Sequence, residues 1–223
     1  MDRYMDKELE ILFSKVFELG SLAERAFSSA IWALAHQDKK LALEVKGGDD
    51  KVDELAQKIN TDSFELIARY QPVAFDLRAL EACIRIALDL ERITDLAVSI
   101  ARTTLELDVR IKQLVSLKPM GERVTEMINT AMKALLERDA ALSESVFTMD
   151  DQVDDYEDNV FAEIMEIVME KHGLINGADK LIIVARVIER AGDHVTNIAE
   201  HICYMITGKR VKASDFRRPM PDV

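Results

Sequence analysis

Apolar residues recur at steps of three and four along most of this 223-residue chain, which is the spacing of one face of an α-helix. The region before residue 105 shows it clearly, with one apolar stripe formed by Ile86, Leu90, Ile93, Ala97 and Ile100. Four more apolar residues lie on the opposite side of the same predicted helix, namely Leu77, Leu80, Ile84 and Leu88. A helix that is apolar on two sides is expected to be sandwiched between neighbours. We therefore predict a helix held inside a bundle.

This pattern occurs twice along the chain. Residues 30–42 (AIWALAHQDKKLA) align with residues 131–143 (AMKALLERDAALS) at an offset of 101, as does Gly20 with Gly121. Towards the end of each copy the offset is 98, so the second copy is three residues shorter. The second copy has an apolar stripe equivalent to the one described above. It consists of Ile188, Ala191, Val195, Ile198 and Ile202. An internal repeat of this length predicts two copies of one structural unit.

Each copy has the pattern of three long helices, which predicts an all-α fold of two tandem three-helix bundles. The six predicted helices span about residues 6–36, 38–69, 73–105, 107–138, 139–171 and 178–207. Gly47 and Gly48 fall inside the second helix and could break it. Because Thr148 and Met149 occupy the equivalent positions in the second copy, we predict a tolerated irregularity and not a loop.

Composition agrees with this fold and restricts the function. Eight glycines and four prolines among 223 residues favour helices over a turn-rich β fold. The formal net charge of −12 argues against nucleic-acid binding, which needs a basic surface. The start of the chain lacks a signal-peptide pattern, and the most apolar run, 181–188, is short and interrupted by Arg186. We expect a soluble cytoplasmic protein with domains 1–105 and 106–212 and a flexible tail, 213–223.

Candidate chemistry lies in acidic residues spaced four apart, which places two carboxylates on one helix face. The four pairs are Asp49 and Asp53, Glu91 and Asp95, Asp150 and Asp154, and Glu189 and Asp193. Since the second and third helices of a unit are neighbours, each unit can bring two pairs together. Like charges that are close and partly buried are destabilising unless a cation compensates them. Clustered carboxylate oxygens suit hard metal ions or a bridged multinuclear cluster.

The alternative is a solvated charged face with ordinary ion pairs. Arg92 and Arg190 stand three residues before Asp95 and Asp193, where intrahelical pairing is available. Recurrence of the acids in both copies favours the metal hypothesis, although common ancestry also preserves residues without a use.

Other candidates are weaker. No histidine follows a glutamate at the spacing of a ferritin-like di-iron site, and His194, next to Asp193, corresponds to Leu96 in the first copy. It is more typical of a surface or packing residue than of a ligand. No nucleotide-binding or hydrolase motif is present. Cys83 and Cys203 are typical of buried inert thiols, and the spacing of Trp32 predicts a core position.

In combination these segments resemble the PhoU family, the accessory proteins of bacterial phosphate-specific transport. The resemblance covers nearly the whole chain, and its segments are RYQPVAFDLR (69–78), LERITDLAVSIA (90–101), DDQVDDYE (150–157) and IERAGDHVTNIAEHICYMITGK (188–209). It implies two three-helix bundles and a negative regulator of phosphate uptake and phosphate-starvation signalling. The implied partners are the transporter's ATPase subunit and the sensor histidine kinase. A homodimer is expected.

The resemblance also implies metal at the acidic motifs, with iron first, as multinuclear clusters in some members, and zinc, manganese, magnesium or calcium as alternatives. Carried onto this chain, the ligands are Asp49, Asp53, Glu91, Asp95, Asp150, Asp154, Glu189 and Asp193, with Asp50, Asp151 and Asp155 as additional or bridging ligands. Thr94 stands where the second copy has Gly192, so the two sites are expected to differ in nuclearity or affinity. Two other hypotheses remain open: a carboxylate-bridged oxidase or phosphohydrolase, and a metal-free structural bundle.

Overall fold

The computed structural model of this protein describes residues 4–107, 116–170 and 175–216. Its helices are α1 Tyr4–His36, α2 Lys39–Lys46, α3 Asp50–Tyr70, α4 Ala74–Glu106, α5 Leu117–Glu137, α6 Ala140–Glu170 and α7 Ile175–Thr207, followed by a short 3-10 helix at Ala213–Asp215. These residues contain no strand, and the predicted all-α fold is confirmed. The prediction that the third helix of the second copy begins near residue 178 is close to the observed start at Ile175.

The helices form two three-helix bundles that lie side by side, as predicted. In the first, α1, α3 and α4 pack together, with α2 against α1 and α4; in the second, α5, α6 and α7 pack together. The bundles meet where α4 packs on α7 and α1 packs on α5. Their buried side chains form one continuous core. Helices α3 and α6, which carry half of the acidic pairs, therefore lie on the outer sides of the molecule.

The contact between α1 and α5 explains the aligned glycines. A Cβ on Gly121 would lie 2.5 Å from Cδ1 of Ile31, and one on Gly20 would lie 2.7 Å from Cε of Met132. Ile31 and Met132 are themselves equivalent positions of the two repeats. Each repeat thus places the side chain of the same repeat position against a glycine of the other repeat, as in a two-fold symmetric interface.

The second helix of the first repeat is broken, so the prediction of one continuous helix was wrong. Helix α2 ends at Lys46, where the N–H of Gly47 donates to the Glu44 carbonyl and the N–H of Gly48 donates to the Val45 carbonyl. Helix α3 begins at Asp50. Two consecutive glycines disfavour the helix by about 1 kcal/mol each, and no such weakness exists at the equivalent place in α6, which is continuous.

Burial follows the predicted stripes on one side of α4 and departs from them on the other. Both apolar stripes predicted for α4 and α7 are buried. On the second side of α4, Leu80 is buried, but Leu77 and Leu88 are 42% and 48% exposed. The expected sandwich is therefore wrong for these two leucines, because α3 and α7 cover other sectors of the helix. Trp32, predicted to be core, is exposed and stacks on His36.

The chain ends and connections complete the fold. Leu107 caps α4, and α5 begins at Leu117, so the start predicted for the fourth helix falls largely on residues 108–115, outside the described part. Residues 171–174 and 217–223 are likewise outside it. The first residues of the predicted tail form the 3-10 helix, and the Phe216 ring lies 5.0 Å from that of Phe147. None of the described helices is long and apolar enough to cross a membrane. The domain boundaries remain predictions.

Candidate functional site

The four predicted acids of the second repeat meet between α6 and α7. Asp150 and Asp154 lie on α6, and Glu189 and Asp193 lie on α7. Burial raises the pKa of the Glu189 carboxyl to about 7, and the negative charges of Asp193, Glu157, Asp154 and Asp150 contribute to the rise. The predicted pairs are therefore close enough to act on one another electrostatically.

This cluster reaches into the bundle. Asp150 is only 2% exposed and Asp151 is also buried. Gly192 on α7 allows this, since a Cβ at that position would lie 3.0 Å from Oδ1 of Asp150. In the first repeat the equivalent residue is Thr94, which is buried and donates a hydrogen bond from Oγ1 to the Leu90 carbonyl at 3.1 Å. The glycine thus lets a carboxylate approach α7, where the threonine fills space beside α4.

Glu157 is a member of the second cluster that the sequence analysis missed. Burial raises the pKa of its carboxyl, the charges of Asp154, Asp158 and Asp193 raise it too, and Arg186 opposes them. Its equivalent in the first repeat is Ala56, so a search for acids shared by both copies passes over it. The available signal was its position three residues after Asp154, on the same helix face.

The first repeat brings its four predicted acids together nearer the surface. Asp49 immediately precedes α3, Asp53 lies in its first turn, and both Glu91 and Asp95 lie on α4. Partial desolvation raises the pKa of Asp53, and the charges of Asp95, Asp49 and Asp50 raise it as well. The pKa of Glu91 is raised by desolvation and by the charges of Asp53 and Asp95.

An ion pair offsets part of this repulsion. Nη1 of Arg92 lies 3.2 Å from Oδ2 of Asp95, and both side chains are about half exposed. The intrahelical pairing considered from the sequence is thus present in the first repeat, and Arg92 also opposes the rise in pKa of Asp53 and Glu91.

The donor set of each cluster suits a hard cation, because it consists of carboxylate oxygens. The side chains as placed do not yet form a ligand shell: within residues 4–107, 116–170 and 175–216 no three Asp, Glu, His or Cys groups converge on a position that would hold one ion. Coordination would require carboxylates to rotate towards each other. Metal binding by the eight predicted ligands therefore stays a prediction.

A part-buried polar contact at the seam between the bundles was not predicted. Nδ1 of His194 lies 2.8 Å from Oδ1 of Asp89, and Nε2 of His201 lies 3.7 Å from its Oδ2. His194 thus packs against α4, which agrees with its interpretation as a packing residue. The equivalents of Asp89 and His194 in the other repeat are Val187 and Leu96, which are buried. The contact joins opposite repeats, so neither copy alone shows it.

Comparison with known proteins places the chain in a family. The family model described as "PhoU domain" matches residues 16–104 and residues 117–202. A protein of Caulobacter vibrioides, named phosphate-specific transport system accessory protein PhoU homolog, is 34% identical over 97% of this chain and 94% of its own length. A homolog of the same description from Thermotoga maritima is 32% identical over 94% of this chain and 91% of its own length.

Solved structures agree with the sequence matches. The crystal structure of PhoU from Pseudomonas aeruginosa superposes with a TM-score of 0.86 at 32% identity, covering 92% of this chain and 99% of that one. The phosphate transport system regulatory protein PhoU from Streptococcus pneumoniae superposes with a TM-score of 0.85 at 27% identity, covering 93% and 99%. These relatives are accessory or regulatory proteins and not enzymes, which bears out the prediction of a protein without catalytic activity. The chain, matched in both of its repeats and along nearly its full length, belongs to the PhoU family.

Proposed function

We propose that this protein is a cytoplasmic adaptor that lowers phosphate uptake and phosphate-starvation signalling by docking onto the phosphate transporter and its sensor kinase. The observation that carries this proposal is the match of nearly the whole chain to accessory proteins of phosphate-specific transport. The expected partners are the transporter's ATPase subunit and the sensor histidine kinase, and the expected assembly is a homodimer.

Direct binding tests the adaptor role. The full chain is immobilised, and the purified ATPase subunit and the cytoplasmic part of the kinase from the same organism are passed over it. We expect saturable binding of at least one of them, together with a slower ATPase rate or lower kinase output. Binding of neither protein, with or without added cation, would contradict the proposal. Light scattering on the free chain tests the dimer.

We further propose that the repeated acidic clusters bind cations, most readily iron, with zinc, manganese, magnesium or calcium as alternatives. The support is physical: Glu189 has a pKa raised to about 7 among four other carboxylates, and a bound cation would offset both their repulsion and their desolvation. Asp50 acts on Asp53, and Asp151 is buried beside Asp150, as expected of additional ligands.

The metal-to-protein ratio is the direct test of cation binding. Elemental mass spectrometry is applied to protein purified without chelator and without a metal-affinity tag. We expect more than one equivalent of metal, lost when Glu91, Asp95, Glu189 and Asp193 are all changed to alanine. A ratio near zero after incubation with iron, manganese and zinc would make the clusters packing and ion-pair features. The metalloenzyme alternative finds no support among the relatives, and we expect no turnover of phosphate esters or peroxide.

A further inference from the structure

One outer surface of the first repeat carries several exposed apolar side chains. Phe64 of α3 and Val73, which immediately precedes α4, are 59% and 74% exposed. On α4, Leu77 and Leu88 are exposed and Ile84 is half-buried. We call these five residues the α3–α4 face. Exposed apolar residues that lie close together often mark an interaction surface, whereas single exposed apolar residues need no explanation.

Helix geometry places these residues on one side of the bundle. At about 100° per residue, Leu77, Ile84 and Leu88 lie in the same sector of α4 as Asp95. On α3, Phe64 lies about three turns from Asp53, in the same sector of that helix. Asp53 acts electrostatically on Asp95 and Glu91. The apolar side chains of both helices and the first acidic cluster therefore share one surface.

The two ends of this surface differ in chemistry. From Leu77 to Asp95 it runs about 27 Å along α4, the length of about 18 helical residues. One end is apolar. The other end carries five carboxylates, Asp49, Asp50, Asp53, Glu91 and Asp95, with Arg92 as the cation that contacts them. That end stays negative even with one divalent ion bound.

The second repeat copies the apolar end only in part. Arg186 replaces Leu88, and its guanidinium lies 6.0 Å above the centre of the Phe161 ring. Met165, itself 55% exposed, replaces Phe64, and the half-buried Ile182 packs against the core, so the arginine is the main chemical difference. A surface that is apolar in one copy and carries an arginine in the other does not follow from the repeat architecture itself.

We propose that the α3–α4 face binds a basic amphipathic helix of a protein partner, with apolar side chains one turn apart against Leu77, Ile84 and Leu88 and with Lys or Arg over the acidic end. Charge complementarity selects this occupant. A second copy of the chain would bring its own acids against these, and an anionic membrane would be repelled by them. The inference rests on the proposed adaptor role and identifies the segment through which a partner docks.

The test uses the full chain and two probes. The first is a fluorescent synthetic helix of about 18 residues with leucines in one stripe and lysines at one end, compared with a peptide whose lysines are glutamates. The second is the intact ATPase subunit or kinase. The variant Leu77→Gln/Leu88→Gln keeps good helix formers at exposed positions. Its matched control is Leu136→Gln/Ile183→Gln, which changes two exposed apolar residues of the second repeat. Circular dichroism verifies the fold of both.

We expect the lysine peptide to bind the wild type, to bind the control equally, and to bind the face variant at least about 10-fold more weakly, as for a central apolar contact. Equal binding of the lysine peptide to the face variant, or equal binding of the glutamate peptide to the wild type, would overturn the inference. So would failure of the lysine peptide to bind at all.

The intact partner separates this inference from the adaptor proposal. If the face variant loses partner binding and the control variant keeps it, the result supports both the inference and the adaptor role. Partner binding that the face variant leaves unchanged overturns the inference and leaves the adaptor role intact. Peptide binding through the face, without binding of either intact partner, supports the inference and contradicts the adaptor role.

Discussion

The two acidic clusters are built from the same motif but differ in depth. In the second repeat, Asp150 is buried inside a continuous α6 and lies against Gly192 of α7. In the first, its equivalent Asp49 precedes the helix that starts at Asp50, next to the break at Gly47. Duplication thus preserved the charges while their surroundings diverged.

The difference shows how burial changes the electrostatics of a carboxylate cluster. A buried cluster loses hydration and repels itself, so its protons are held more tightly or a cation must compensate. The second repeat adds Glu157, which increases the repulsion that a proton or a cation must offset. The first repeat leaves Asp95 half exposed and pairs it with Arg92. We therefore expect the second cluster to bind cations more tightly and the first to present its charge to a partner.

The largest expected difference between the clusters is in metal affinity. Changing Glu189 and Asp193 to alanine should weaken the tightest metal site by at least about 100-fold, because it removes two ligands outright. The matched change of Glu91 and Asp95 should leave that site intact and remove only a weaker one. Isothermal titration of chelator-treated protein with manganese or iron measures both. Equal losses from the two double variants would contradict the ranking of the repeats.

The seam between the bundles offers a second comparison, since Asp89 contacts His194 there and the equivalent residues of the other repeat are the buried Val187 and Leu96. Asp89→Val should destabilise the fold by about 2 kcal/mol, because it leaves two half-buried histidines without their carboxylate. Asp89→Val/His194→Leu, which copies the apolar pair, should recover most of the loss. Urea unfolding measures the free energies. If the double variant loses as much stability as the sum of Asp89→Val and His194→Leu measured separately, the two residues do not stabilise the fold through their contact.

Gly192→Thr sharpens the comparison by giving the second cluster the residue of the first. The added side chain would displace Asp150, whose Oδ1 is 3.0 Å from the Cβ position. We expect metal affinity of the second cluster to fall by about 10-fold, the size seen for perturbed ligand support. The variant should fold, since threonine is a better helix former than glycine. Gly192→Ala serves as a milder control, and an unchanged affinity for Gly192→Thr would remove the structural reason for the glycine.

The smallest expected effect is a pH dependence of the metal-free protein. The folded pKa of Glu189 is about 7, above its usual value. Because the folded state holds this proton more tightly, the ionised carboxylate destabilises the folded protein above pH 7. This penalty decreases as pH falls from 7 towards the usual value of 4.5. Glu189→Gln should stabilise the chelator-treated protein by about 1 kcal/mol at pH 8, a figure reduced for solvent screening. Near pH 4.5 the difference should vanish.

The matched variant Glu91→Gln should show a smaller gain, because its cluster lies nearer the surface. Thermal unfolding of the two variants and the wild type across pH 4.5 to 8 gives the three curves. A larger gain for Glu91→Gln than for Glu189→Gln would reverse the proposed ranking of desolvation.

Much of the fold could be predicted because it depends on periodicity. The buried stripes of α4 and α7 recur every three to four residues, and the repeat offset identified matching helices before any contact was known. The offsets of 101 and 98 identified the eight acids, and helix adjacency within each unit was enough to expect them together. These inferences needed only local geometry and the short connections between helices.

What could not be predicted depends on contacts between distant residues or between alternatives of similar energy. Two glycines broke the second helix because the cost of continuing it exceeded what neighbouring turns supplied. Leu77 and Leu88 had the spacing of a buried stripe, yet α3 and α7 pack on other sectors of α4. The counterpart of Glu157 in the first repeat is Ala56, which is not acidic, and Asp89 contacts His194 across the repeats.

The sequence by itself determined most of the helices, their duplication, the family and the repeated acids, because each is a property of spacing along one chain. Only the tertiary structure decided which cluster lies deep, which leucines stay exposed and which polar groups meet at the seam. Those outcomes depend on how two nearly equivalent bundles pack against each other. Packing distinguishes residues that the repeat makes look the same, because solvent is excluded from one copy of a position and not from the other.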